Sequence, residues 1–411
     1  MRMLLIGNPG NKRTAGLQAA RNRLGLPPAT VISYEALLQG HSLSELTGEG
    51  EAPALLRLDA PGELFGVERQ LIALGAPDAA VEVDGDRLLD PDLEPPGSGP
   101  RPILQQAALQ LDERRGELVH PSQWFRGYVR LLARLEREVA ELWPQAKWVH
   151  APASVALMFD KRRSHELLSE GGVVVPPRLA DPRTLSCYED VREAMRRERM
   201  PRIFLKLASG SGASGVLAYQ THPTTGAEVV LTTLGVENYV TRPPVYYNSR
   251  KLLRYTDPRQ IRQLIDWVLR HGAHAERWIA KASAGNGVYD IRQLVVDGLA
   301  GHSIARISRT PITNLHLRNE RLSLDELGMA PELRQEVAQA AEQAMDCFPN
   351  VRTAGVDVMV SRTGRVYVLE VNPFGDLLYY VLHDGVDPYE WQLRRFMSSE
   401  AREGEHGACP T

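Results

Sequence analysis

The stretch Gly355 to Gly375, GVDVMVSRTGRVYVLEVNPFG, constrains the fold of this chain more than any other. Two apolar runs rich in β-branched residues, Val356 to Val360 and Val366 to Val371, flank the polar connection Ser361-Arg-Thr-Gly-Arg365. That pattern predicts an antiparallel hairpin. Side chains alternate along a strand, so Val368, Glu370 and Asn372 are expected on one face. With a connecting loop of about two or about four residues, Asp357 faces the same way as Glu370. Two carboxylates and a carboxamide then share one patch of oxygen donors. Mg²⁺ suits such a set, with waters and substrate phosphates completing its octahedron. An amphipathic hairpin with one wet face is the plainer alternative. Against it, Glu-x-Asn ends a very apolar run and meets Pro373, Phe374 and Gly375, which turn the chain out of the sheet.

The 411 residues, 43% hydrophobic and 24% charged, suffice for two to three globular domains with a buried core. A net charge of −3 gives no field that argues for nucleic acid or an anionic membrane. Cys187, Cys347 and Cys409 lie far apart without CxxC spacing, so neither a zinc site nor a disulfide framework is implied. The apolar start, Met1 to Ile6, breaks at Gly7-Asn8-Pro9, too early for a signal peptide, and no run is long enough to cross a bilayer. The expectation is a soluble cytoplasmic protein with no nucleic-acid and no membrane partner.

From the N-terminus, a strand at Met3 to Ile6, a helix at Thr14 to Leu24 and a strand at Ala29 to Ser33 make a β-α-β opening. Gly7, Gly10, Lys12 and Thr14 fail the phosphate-loop pattern, which needs Gly-Lys-Ser/Thr contiguous at the helix start. Arg57 and Asp59 share a strand face, with Glu63 just after the turn. They suit a substrate's charged ends, although a surface ion pair is the commoner meaning. Gln123 to Leu142 has a core-facing helical stripe. Lys161 begins a helix ending at Gly171-Gly172. Strand Pro201 to Leu207 carries one charge, Lys206, ahead of the small-residue loop Ser209-Gly-Ser-Gly-Ala-Ser-Gly215. Strand, flexible loop, strand is the shape of a flap whose N–H groups close on phosphates. Val229 to Leu253 reads as an irregular excursion. Arg292 and Arg306 are cations on adjacent core strands, unusual unless something anionic lies between them. His302 and His316 read as packed histidines. A final helix is expected over 387–397, then a disordered tail over 398–411.

In this order the pieces resemble the ATP-grasp superfamily from about Asp160 to Asp376, closest to its carboxylate–amine ligase branch of ribosomal-protein glutamate ligases and prokaryotic glutathione synthetases. The resemblance implies an α/β chain with α+β character in its C-terminal half, a Rossmann-like α/β domain preceding a two-lobed ATP-grasp domain. Its divisions are 1–150, 151–275 with the flap, and 276–397 with the Mg²⁺ site. Lys161 and Lys206 look like the two nucleotide-binding lysines. Ser209, Gly210, Gly212, Ser214 and Gly215 look like the phosphate flap. Glu276 to Ile279, with Trp278, is similar to the adenine-holding hinge, in which one backbone carbonyl and one N–H read the base. Asp290-Ile-Arg292 is similar to the Asp-x-Arg strand, and Asp357, Glu370 and Asn372 to the Mg²⁺ ligands. Two departures are Leu207 where Pro is usual and Arg318-Asn319 where small residues are usual near the acceptor.

What the resemblance implies is a ligase using ATP and Mg²⁺. A substrate carboxylate, free or on a peptide, would attack the γ-phosphate to give an acylphosphate, and an amine would then displace phosphate. Lys161 and Lys206 would hold the α- and β-phosphates, while Arg292 and Arg306 would steady the γ-phosphate and the acylphosphate. A homodimer is compatible with this reading. A phosphotransferase and a catalytically silent nucleotide-binding module are the alternatives.

Overall fold

Met3–Gly7 is buried at every position, as a strand covered on both faces must be. This β1 lies inside a parallel sheet with β2 (Thr30–Ser33), β3 (Leu55–Leu58) and β4 (Lys147–Trp148), in the order β2-β1-β3-β4. Between β1 and β2 runs the helix Lys12–Arg23, capped by Asn11, whose side chain accepts the Arg13 N–H. Helix Pro121–Leu142 covers the sheet with Tyr128, Leu131, Leu132, Leu135 and Val139. The computed structural model describes residues 1–48, 50–93, 102–210, 214–313 and 320–406.

A second sheet is antiparallel throughout: β5 (Arg202–Leu207), β6 (Val216–Thr221), β7 (Glu228–Glu237), β8 (Val245–Tyr255) and β9 (Ala273–Arg277), in the order β8-β7-β6-β5-β9. Its apolar face packs on helices Tyr188–Arg197 and Pro258–Arg270. The expected irregular excursion over 229–253 is instead the long β7–β8 hairpin. Pro243 and Pro244 fall in its connecting loop, where missing N–H donors break no ladder.

The third sheet contains β10 (Ser283–Ala284), β11 (Gly287–Val296), β12 (Leu299–Ser308), β13 (Glu320–Leu322), β14 (Thr353–Val360) and β15 (Val366–Asn372). Its path is β13-β12-β11-β14-β15, with β10 pairing beside β11. Ile291, Val295, Val356, Val358 and Val371 line one face with Val337 and Ala341 of helix Pro331–Asp346. The β14–β15 loop, Ser361 to Arg365, is neither two nor four residues long. Continued regularly from Val360↔Val366, such a ladder would turn Glu370 away from Asp357. A β-bulge at Leu369 shifts the register from Val358↔Val368 to Asp357↔Glu370 and brings the carboxylates together. The same bulge overturns the expectation for Val368, which lies in the core, 1% exposed, on the face opposite Glu370.

The Arg57–Asp59 pair is not on the surface. Both side chains are 1% exposed, and Arg57 also binds Asp376 and donates to Gln392 Oε1 at 3.0 Å. This buried network ties the first sheet to the segment after β15 and to the last helix, Pro388–His406. That helix runs through much of the tail expected to be disordered. Phe396 is fully buried and Arg352 pairs with Glu400, so tertiary contacts support a polar sequence.

Candidate active site

Cross-strand partners in an antiparallel sheet share a face. Asp290 pairs with Arg306, Arg292 with Asp357 and Asp357 with Glu370, and Asn372 lies two residues beyond Glu370. All six therefore stand on one face of the third sheet. Arg292 binds Asp357 through Nε at 2.6 Å and Nη2 at 3.2 Å, a two-pronged contact. Arg306 Nε lies 2.7 Å from Asp290 Oδ1, and its Nη2 3.1 Å from Asp357 Oδ1. The backbone supports this placement at Gly355 and Gly375. A Cβ on Gly355 would meet the Gly375 carbonyl oxygen at 2.5 Å, and one on Gly375 would meet Arg292 Nη1 at 2.5 Å. Only glycine lets the 372–376 turn fold this closely onto β14.

Two lysines reach the same face from the second sheet's side. Lys161 opens helix Lys161–Glu170 behind its cap Asp160, and its Nζ lies 2.9 Å from Glu370 Oε1. The same ammonium donates to the Gly210 carbonyl at 2.6 Å, linking flap and hairpin. Lys206 on β5 binds Glu276 Oε1 on β9 at 2.6 Å, and His274 Nε2 lies 3.1 Å from the other Glu276 oxygen. Burial alone would raise the Glu370 pKa, but Lys161 and Lys206 outweigh it and hold the carboxyl below its ordinary value. Burial likewise opposes charge on Lys206, yet Glu276, then Glu370 and Asp357, raise its pKa. Glu276 is held down to about 2, burial being outweighed by Lys206 and His274.

The flap closes on Leu207 where proline was expected. Leu207 N–H donates to the Gly215 carbonyl at 3.1 Å, and Gly215 has φ +66. A Cβ there would meet Leu207 Cδ1 at 2.4 Å, so leucine sets the return of this hairpin and glycine accommodates it. Ser214 Oγ accepts from Asn248 of β8 at 2.9 Å. Ser209 lies where β5 ends; Gly212 lies outside the described residues, as do His316 and Arg318-Asn319. His302 is packed as expected, 1% exposed, with Nε2 2.9 Å from the Val386 carbonyl oxygen.

At the expected adenine hinge the Glu276 side chain is committed to Lys206 and His274. The Arg277 and Trp278 N–H groups are spent on the carbonyls of Pro177 and Arg202. Ile279 retains the one N–H of 277–279 without a hydrogen bond among the described residues. Sequence reasoning gave no role to Lys281. Its ammonium is buried, 3.1 Å from Asp290 Oδ2 and bonded to Thr313 Oγ1, extending the chain Thr313–Lys281–Asp290–Arg306–Asp357. Burial lowers its pKa against the pull of Asp290. A Lys following an irregular hinge has no periodicity to reveal such a partner.

The Asp357, Glu370 and Asn372 oxygens suit a hard cation. The Asn372 Nδ2 is buried with no hydrogen-bond partner among the described residues, a donor left for a ligand oxygen. No cluster of three or more His, Cys, Asp or Glu residues forms a metal group among them, so the donor set is two carboxylates and one amide. An open cleft of about 990 Å³ adjoins the far ends of β11 and β12, lined by Gly287, Ser308, Arg309, Arg250 and Lys251.

One parallel sheet followed by two antiparallel sheets whose cations and acids converge is the ATP-grasp fold. The macrocyclase MdnC of Microcystis aeruginosa MRC, solved with its precursor peptide MdnA, superposes with a TM-score of 0.51 at 11% identity, over 97% of this chain and 99% of that one. The N5-carboxyaminoimidazole synthase of Aspergillus clavatus, solved with ADP and 5-aminoimidazole ribonucleotide, also gives 0.51, at 10% identity over 97% of this chain and 77% of that one. The ATP-grasp ligase PsnB, solved with a minimal precursor, gives 0.47 at 13% identity over 92% of each chain. No protein-family model matches the chain, and no curated protein matches its sequence. No helix among the described residues is long and apolar enough to cross a membrane.

Proposed function

We propose that this protein is an ATP- and Mg²⁺-dependent ligase that activates a substrate carboxylate as an acylphosphate and joins it to an amine, releasing ADP and phosphate. The observation that carries the reading is the register Asp357↔Glu370, with Lys161, Lys206, Arg292 and Arg306 converging on those two carboxylates. Phosphoryl transfer asks a protein mainly for position and charge neutralisation, and four cations around paired acids supply both. Lys161 and Lys206 hold the α- and β-phosphates, with Ser209, Gly210, Ser214 and Gly215 of the flap beside them. The Ile279 N–H and a neighbouring carbonyl read adenine. Asp357, Glu370 and Asn372 would hold Mg²⁺, which would supply charge neutralisation to the nucleotide phosphates. Arg292 and Arg306 steady the transferring phosphoryl group. The flap excludes water, which would hydrolyse an acylphosphate. The working divisions are 1–150, 151–275 and 276–397, and the reading fits a cytoplasmic enzyme.

The test is ADP release from a matrix of carboxylates and amines, with hydroxylamine as a trap. ADP, free phosphate and a hydroxamate support ligation. AMP and pyrophosphate overturn it, and a stable phosphorylated product without hydroxamate assigns the protein to the phosphotransferases.

A further inference from the structure

Arg321 on β13 continues the charged row one strand beyond the groups that the ligase reading uses. It stands directly opposite Arg306, and so on the same sheet face as Asp290, Arg292, Asp357 and Glu370. Like charges facing each other across a strand pair repel. Asp290 and Asp357 neutralise Arg306, whereas Arg321 has no carboxylate partner among the described residues. Its guanidinium lies 6.0 Å from the centre of the Tyr379 ring, and Lys12 Nζ approaches the same ring at 5.4 Å. Two cations from distant parts of the sequence thus converge on one aromatic ring, in the segment that follows the Asn372 strand end. Both remain exposed. Tyr380, fully exposed at φ +60, and Leu382, 65% exposed, project from the same loop.

We propose that Arg321 and Lys12 form a second anion subsite, which holds a further carboxylate of the substrate whose reacting carboxylate approaches the Arg292–Asp357–Arg306 cluster. This inference rests on the ligase reading and adds the substrate class: a molecule with two carboxylates a short chain apart. Arg306 and Arg321 start from directly paired positions on strands about 4.8 Å apart, which places both cations within reach of one short-chain dicarboxylate. A small dicarboxylate and an acidic polypeptide both carry that chemistry. Tyr380 and Leu382 offer an apolar surface to the remainder of the larger of the two.

The test measures binding of glutarate, tri-glutamate and butyrate to the full chain with Mg²⁺ and ADP, by calorimetry or saturation-transfer NMR. Wild type should prefer glutarate or tri-glutamate over butyrate by about tenfold or more, and Arg321→Glu and Lys12→Glu should erase that preference. Arg321→Gln should reduce it with less perturbation, and binding of a fluorescent ATP analogue should be unchanged in all three variants. Loss of tri-glutamate affinity in Tyr380→Ser/Leu382→Ser, with glutarate unaffected, supports the polypeptide. Tri-glutamate affinity that is undiminished in the double variant, while glutarate affinity falls in Arg321→Glu, supports the small dicarboxylate. Butyrate binding as well as both probes, or a preference surviving Arg321→Glu with ATP binding intact, overturns the subsite. Failure of every carboxylate–amine pair to release ADP, while Arg321→Glu still abolishes glutarate binding, overturns the ligase and leaves the subsite standing.

Discussion

Lys206 and Glu276 hold each other at 2.6 Å across β5 and β9, with side chains 13% and 3% exposed. An ammonium placed among apolar neighbours is thereby fixed and kept charged by a buried carboxylate. Glu276→Ala leaves that ammonium without its partner, which costs on the order of 3 kcal/mol when such a pair is buried. The expected result is a lower Tm together with weaker binding of a fluorescent ATP analogue. Normal ATP affinity in a folded Glu276→Ala protein would show that Lys206 needs no such support.

The same pair sets an acid limit. Glu276 titrates at about 2 in the folded chain, well below its value of about 4.3 in an unfolded one. A depressed carboxyl contributes stability that is fully present above the unfolded value and is lost as pH falls towards the folded one. Glu276→Gln should therefore flatten the stability profile between about pH 4 and about pH 2. Urea melts across that range read the difference, and parallel profiles for both proteins would count against the linkage.

Glu370→Gln should leave the hairpin folded, since backbone pairing and the buried Val368 and Val371 do not depend on the charge. Turnover should fall by roughly 10²- to 10³-fold, as expected when a metal ligand is lost. Circular dichroism and ADP release at saturating Mg²⁺ check the two halves. Near wild-type turnover removes Glu370 from the machinery.

Lys281→Met should reduce turnover by about tenfold to about a hundredfold with little change in ATP affinity, because Lys281 and Arg306 share the carboxylate of Asp290. A change confined to ATP binding would instead place Lys281 in direct contact with the nucleotide.

Arg57→Met should destabilise the chain by about 3 to 5 kcal/mol, since Asp59 and Asp376 would face each other buried without their shared cation. Arg57→Lys should recover little of it, because an ammonium cannot span both carboxylates and Gln392 as the planar fork does. Chemical denaturation measures both variants.

Much of the site was legible because its residues announce themselves in short stretches. Asp160-Lys161 sits at a helix start, Lys206 is a lone charge in an apolar strand, and Glu-x-Asn ends the last strand. The parallel opening sheet was legible from continuous apolar runs. What escaped depends on partners far away in sequence. Arg57 reads as a surface residue until Asp376 and Gln392, over 300 positions later, cover it. Glu276 reads as part of a hinge until β5 pairs beside it. Val229 to Leu253 lacks clean alternation because β7 and β8 slip register between Thr232 and Leu234. The start of the polar tail becomes helical because Ser399 and Glu400 meet Arg352 and Asp297, contacts that helix propensity does not encode.

The extra residue at Leu369 makes the hairpin behave like a parity check. An odd connecting loop and one bulge each reverse the facing of every later side chain, and two reversals restore it. Loop length and bulge count can therefore drift only as a pair. A single insertion in the 361–365 turn, left uncompensated, would exchange Glu370 and Asn372 with Leu369 and Val371, drawing acid and amide into the core and presenting hydrocarbon beside Arg292 and Lys161. Distant chains of this architecture can thus differ in both turn and bulge and still present the same face, so that an alignment blind to the bulge misplaces Glu370 and Asn372 by one position.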